Sequence, residues 1–111
     1  MTTSNTALPA VDLAPCLLKM IDISTAHIPK HTADALGSPG DADKPALWDE
    51  LSYVYYHEYG WIIFVARMPE ELQPQHPELS TLFDLCLAND VGHLKLDCDA
   101  PTVEGLPTFE W

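Results

Sequence analysis

Residues 47–68 read LWDELSYVYYHEYGWIIFVARM, and the way this run divides decides the fold. Tyr, Val, Trp, Ile and Phe crowd both sides of a single glycine, Gly60. β-Branched and aromatic side chains fit a half-buried pleated surface, and a glycine between two such runs marks a turn better than the middle of a helix. The stretch therefore predicts a strand near 52–57, a turn around Glu58 to Gly60 and a strand over 61–66, not one helix carried through Gly60.

On the N-terminal side, residues 37–47, GSPGDADKPAL, form a loop by Gly, Pro and Asp content. The loop is longer than the usual connection and is a candidate binding element. Before it, IPKHTADAL (28–36) predicts a short helix, with Pro29 at its first position and Gly37 as its C′ residue. Pro29, Thr32, Ala33 and Leu36 share one side of that helix; Lys30, His31 and Asp34 share the other. Earlier still, LLKMIDIST (17–25) alternates Leu18, Met20 and Asp22 against Lys19, Ile21 and Ile23, the period of a strand. Residues 1–15 carry two prolines and no sustained period, and read as an irregular lead segment.

On the C-terminal side, prolines at 69, 74 and 77 forbid a long helix or a central strand across PEELQPQHP. From Pro77 the pattern becomes helical. Leu79, Leu82, Phe83, Cys86 and Leu87 fall on one arc and Thr81, Asp84 and Ala88 on the other, with Gly92 as the expected stop. HLKLDCD (93–99) then alternates, with Leu94, Leu96 and Cys98 inward and His93, Lys95, Asp97 and Asp99 outward. The order strand, helix, strand, strand, helix, strand predicts an α+β domain. Its expected form is a four-stranded antiparallel sheet with both helices on one face, a ferredoxin-like βαββαβ arrangement whose strand order stays open.

A chain of 111 residues is expected to be one domain, burying roughly 60 to 65 % of its extended surface without a disulfide or metal. Seventeen Asp and Glu against five Lys and Arg leave a net charge of −12. Such a field repels phosphate backbones and anionic headgroups, so direct nucleic-acid or membrane binding is not expected; a basic protein or nucleoprotein partner is. No signal-like segment or apolar run of about 18 residues is present, and the three cysteines are widely separated. The chain reads as cytoplasmic, with reduced thiols.

Several residue groups invite a chemical reading. His27, His31 and Asp34 are metal candidates by type, but zinc needs three or four converging ligands, and the plainer reading is surface or capping histidine. His57 and Glu58 resemble an acid/base pair among tyrosines, yet adjacent strand residues point to opposite faces and no nucleophile motif accompanies them. Asp97, Asp99 and Glu104 could attract a divalent cation weakly, at a spacing that matches no calcium loop. Cys86 and Cys98 are in phase with apolar neighbours and read as inert core residues. P-loop, dinucleotide and HExxH motifs are absent, and no cofactor is expected.

The segments ISTAHIPKHTADAL, YYHEYGW and LDCDAPTVEGLPTFEW resemble a family of short accessory proteins carried on bacterial plasmids and integrated elements, ending in a Gly-Leu-Pro-Thr-Phe-acidic-Trp signature. The matching positions are Ser24, Thr25, His27, Tyr59, Gly60, Trp61, Asp97, Asp99, Gly105, Leu106, Pro107, Phe109 and Trp111. The resemblance implies a mobile-element or phage context and assigns none of these residues a catalytic role. In that context an acidic protein is expected to inhibit a host nucleic-acid-directed defence complex, restriction or CRISPR, by imitating phosphate charge or wedging into a basic channel.

The expected contact surface is Asp41, Asp43, Asp49, Glu50, Tyr59, Trp61, Asp97, Asp99, Glu104, Phe109 and Trp111. Gly105 and Pro107 would turn the tail so that Leu106, Phe109 and Trp111 cover an exposed edge or the helix-free face. The alternatives are an accessory interaction subunit, in one form a homodimer, using a Tyr/Trp surface, and a small metal-assisted hydrolase using His27, His31 or His57. A scattered, merely solubilising acidic surface is the plainest reading of the charge.

Overall fold

A computed structural model describes residues 9–37, 47, 50, 51 and 54–111. Four strands, β1 (Met20–Ser24), β2 (Val54–His57), β3 (Gly60–Phe64) and β4 (His93–Asp97), form one sheet in the order β1-β4-β3-β2. Among the described residues two α-helices accompany it, α1 (Lys30–Leu36) and α2 (Pro77–Ala88), so the predicted βαββαβ order and α+β class are observed. The sheet is mixed, where the sequence pattern predicts an antiparallel one: β1 runs parallel to β4, and only β2–β3 and β3–β4 are antiparallel.

The direction of β4 follows from the connection that precedes it. Phe64 pairs with His93, and the Val65 N–H donates to the Gly92 carbonyl at 2.9 Å, so the chain leaves β3 and enters β4 at the same end of the sheet. Residues 65–76, folded into turns by the prolines, travel to the far end, and α2 brings the chain back. A connection that makes two traverses reverses the strand that follows it.

Register separates the two faces. Ile21 and Ile23 of β1, Leu94 and Leu96 of β4, Trp61 and Ile63 of β3, and Val54 and Tyr56 of β2 stand in two rows on the inner face. Ala33 and Leu36 of α1 and Leu79, Leu82, Phe83 and Cys86 of α2 join them in one core. Burial of this kind stabilises by about 25 cal/mol per Å² of apolar surface and is the main force holding the layers together. Met20, Ile62, Phe64 and Tyr55 lie on the other, helix-free face, interspersed with Asp22, Lys95 and His93.

The helix boundaries follow their caps. Gly37 adopts φ 82° and returns its N–H to the Ala33 carbonyl, closing α1 as the sequence predicts. Helix α2 ends earlier than Gly92. Asp90 takes the left-handed conformation at φ 59°, while the Asn89 side chain donates to the Leu85 carbonyl at 2.8 Å. Leu87, placed on the apolar arc by its spacing, is exposed beyond the sheet edge with Leu85. Among the described residues no helix is long and apolar enough to cross a membrane.

Gly60 occupies a position no other residue fits. A Cβ there would lie 1.8 Å from the Leu96 carbonyl oxygen and 3.3 Å from Thr25 Cγ2. This close approach lets the β2–β3 hairpin seat directly on β4.

Candidate functional site

The C-terminal tail builds one wall of the site. After β4 the chain turns at once: the Asp97 carboxylate accepts the Asp99 N–H at 2.8 Å, and Ala100 N–H donates to the Asp97 carbonyl. The tail then runs back along residues 24–28. Ser24 N–H donates to Pro101 O at 3.1 Å, Phe109 N–H to Ala26 O at 2.7 Å, and Trp111 Nε1–H to Ile28 O at 2.8 Å. His27 is the rivet. Its Nδ1–H donates to Pro107 O and its Nε2 accepts the Val103 N–H, both at 2.8 Å, which requires the neutral ring with its proton on Nδ1. The tail thus meets the edge strand β1 at its last residue, Ser24, and otherwise covers the turn that follows it.

Trp111 is thereby carried across to the hairpin. It helps enclose a cleft of about 480 Å³ with Tyr56, Trp61 and the turn residues Glu58 and Tyr59, and with Ala33, Asp34 and Gly37 of α1 and its cap. Thr25, Gly60 and Cys98 complete the lining. Trp61 is 7 % exposed and forms the inner wall, edge-on to Tyr56 at 6.4 Å; Tyr59 and Trp111, at 47 % and 53 %, form the lips. Trp61 donates its Nε1–H to Gly37 O at 2.8 Å. With the indole N–H of Trp111 also committed, the two tryptophans offer the cleft carbon and π-electron surface, not donors.

The electrostatics of the cleft are acidic. Glu58 is an exposed lining residue, and among the described residues Asp34 is paired with Lys30, in a surface i,i+4 pair at 3.0 Å whose side chains are 68 % and 66 % exposed. Asp99 lies beside Cys98, with Sγ and Oδ1 3.9 Å apart. Desolvation together with the Asp99 and Asp97 carboxylates pushes the Cys98 thiol above its ordinary range, so the thiolate a nucleophile requires is disfavoured.

Of the residues singled out by sequence, Tyr59, Trp61 and Trp111 come together in this cleft. Phe109 is half-buried in the tail, and Glu104 stands apart, on an apolar cleft between the tail and α2. Asp97 is buried and engaged, by the Asp99 N–H and by Lys95 Nζ at 3.6 Å, so its carboxylate supports the turn and is not presented outward. Glu50 is exposed, and Asp41, Asp43 and Asp49 lie outside the described residues. Cys86 is buried as expected, whereas Cys98 is exposed, because the turn after Asp97 ends the alternation that would have placed it in the core.

The metal candidates do not converge. His27 spends both nitrogens on the tail, His31 donates Nε2–H to Gln75 O at 2.9 Å, and Asp34 faces Lys30. Among the described residues only Asp97, Cys98 and Asp99 bring three ligand-type atoms within 4.8 Å of one another. The His57/Glu58 pair is also split: His57 stands on the helix-free face, accepting the Tyr59 N–H at 3.2 Å, while Glu58 lines the cleft.

Two residues were invisible as a unit in the sequence. Thr32 and His76 share a buried hydrogen bond of 2.8 Å, and His31 stacks on His76 at 5.4 Å. Burial, then the neighbouring His31, lower the His76 pKa against a smaller opposing effect of Glu78. No local motif links positions 32 and 76, so only the tertiary contact reveals this pair.

Residues 20–111 match the model described as "Family of unknown function (DUF5983) C-terminal domain", and the chain belongs to that family. The matched stretch opens on the first residue of β1. No curated protein and no solved structure matches the chain.

Proposed function

We propose that this DUF5983-family chain is a non-catalytic binding protein that docks on a basic surface of a protein or nucleoprotein partner through its acidic, aromatic-lined cleft. The observation that carries the reading is the cleft itself: Tyr56, Tyr59, Trp61 and Trp111 with Glu58 and Asp34, in a chain of net charge −12. Desolvated aromatics supply contact energy, while surplus negative charge steers encounter with a cationic partner. In its specific form the proposal takes the partner to be a host nucleic-acid-directed defence complex, whose Lys- and Arg-lined channel presents such a surface; the charge and the resemblance to mobile-element accessory proteins support that choice.

The test is capture of partner from bacterial extract at low and high salt, by the wild-type chain and by a triple variant, Asp34→Asn, Glu58→Gln, Asp99→Asn. These side chains are exposed, so folding should be unaffected. Capture should weaken steeply with salt and drop at least about tenfold in the variant, in line with coupling between close charges across an interface. Capture that survives both changes overturns the reading.

A further inference from the structure

We infer that the cleft is a receptor for a single arginine side chain projecting from the partner. The inference rests on the binding function proposed above and assigns the chemistry of the group recognised. Three features of the lining select it.

The first is the shortage of fixed donors. Both indole N–H groups are already given away, to Gly37 O and Ile28 O, and the described lining holds no Lys, Arg or His, so a carboxylate or phosphate entering the cleft would find only neutral hydroxyls and a thiol to set against the like charge of Glu58 and Asp34. The second is the pairing of aromatic walls with carboxylates. Such walls attract a cation by their quadrupole, arginine more often than lysine, because a weakly hydrated planar guanidinium can stack on a ring and still donate sideways. Glu58 and Asp34, both in the lining, are the acceptors for those N–H groups. The exposed Lys30–Asp34 pair is weak enough to exchange its cation for an incoming one.

The third feature is size. About 480 Å³ admits an extended arginine together with part of its flanking backbone.

The experiment titrates the full chain with three short blocked peptides, Gly-Gly-X-Gly-Gly, in which X is arginine, lysine or citrulline. Citrulline keeps the shape of arginine and removes its charge. Binding is read from the indole N–H resonances of Trp61 and Trp111, and poly-L-lysine is titrated separately to report attraction by charge alone. The expected result is saturable one-to-one binding of the arginine peptide, at least about threefold tighter than lysine and about tenfold tighter than citrulline. Trp111→Ala and Glu58→Gln should each abolish that preference; Glu58 is an exposed turn residue, so its variant guards against a folding defect.

Equal response to arginine and citrulline, or a preference unchanged in both variants, overturns the inference. If the arginine peptide fails while poly-L-lysine still binds in a salt-dependent manner, the arginine receptor falls and the acidic docking function stands. If neither binds, both fall.

Discussion

Residues 9–19 and residues 98–111 both lack α-helix and strand, yet they are held in opposite ways. In the first segment the hydrogen bonds are local, Ala14 N–H to Asp12, Cys16 N–H to Leu13 O and Leu17 N–H to Ala14 O, until Lys19 reaches β4. Val11, Leu13, Leu17 and Leu18 stand 61–73 % exposed. In the second, Pro101, Val103, Pro107, Phe109 and Trp111 all bond to residues about eighty positions earlier. An irregular segment belongs to a fold when its backbone groups find distant partners, since ordering each residue costs about 1–2 kcal/mol and local turns return little of it. The family match, opening at residue 20 and running to residue 111, draws the same line.

The largest effect should come from disturbing the surface on which the tail is seated. Gly60→Ala drives a Cβ into the Leu96 carbonyl and against Thr25, moving β4 and the 3-10 turn Thr25–His27 together. Destabilisation of at least about 3 kcal/mol is expected, read as a lowered midpoint in urea. A variant within about 1 kcal/mol of wild type would show that the hairpin can lift off β4 cheaply, and that the tail does not depend on it.

His27→Ala is the direct way to break the comparison. It removes a buried ring and two hydrogen bonds that join the tail to the 3-10 turn, at an expected cost of about 2–3 kcal/mol. Amide exchange should accelerate at Val103 and Phe109 far more than in β3 or β4. If exchange rises equally throughout, the tail is not a separately held element and His27 is an ordinary core residue.

How much of this was legible in the sequence depends on the range of the interaction. The Tyr/Trp run around Gly60 and the arcs of α1 and α2 are local periodicities, and they lead to the right elements in the right order. The direction of β4 is not local: it depends on how far residues 65–76 travel before α2 begins. The inward phase of Leu94 and Leu96 extends by arithmetic to Cys98, but an Asp97 side chain that caps its own turn stops the strand there. Of the site, Tyr59, Trp61 and Trp111 stand out as aromatics, with Glu58 beside Tyr59 in the same turn. Asp34 joins them only through the fold, and His27, singled out as a ligand by residue type, proves to be the tail's fastening because its partners lie 76 and 80 positions away.

The smallest effect sharpens the comparison from the other end. Val11→Ser, Leu13→Ser and Leu17→Ser together replace three of the most exposed apolar side chains in the described structure. None of the three belongs to the core cluster or to its half-buried fringe. Removing apolar surface that is already in water takes nothing from the folded state that the unfolded state lacks, so the midpoint in urea should move by less than about 0.5 kcal/mol. A loss above about 1.5 kcal/mol would mean that these side chains are buried in solution, by self-association or by another part of the chain. Sedimentation of the wild type and the triple variant then separates the two: a dimer that dissociates on substitution identifies self-association, and an unchanged monomer identifies an intramolecular cover.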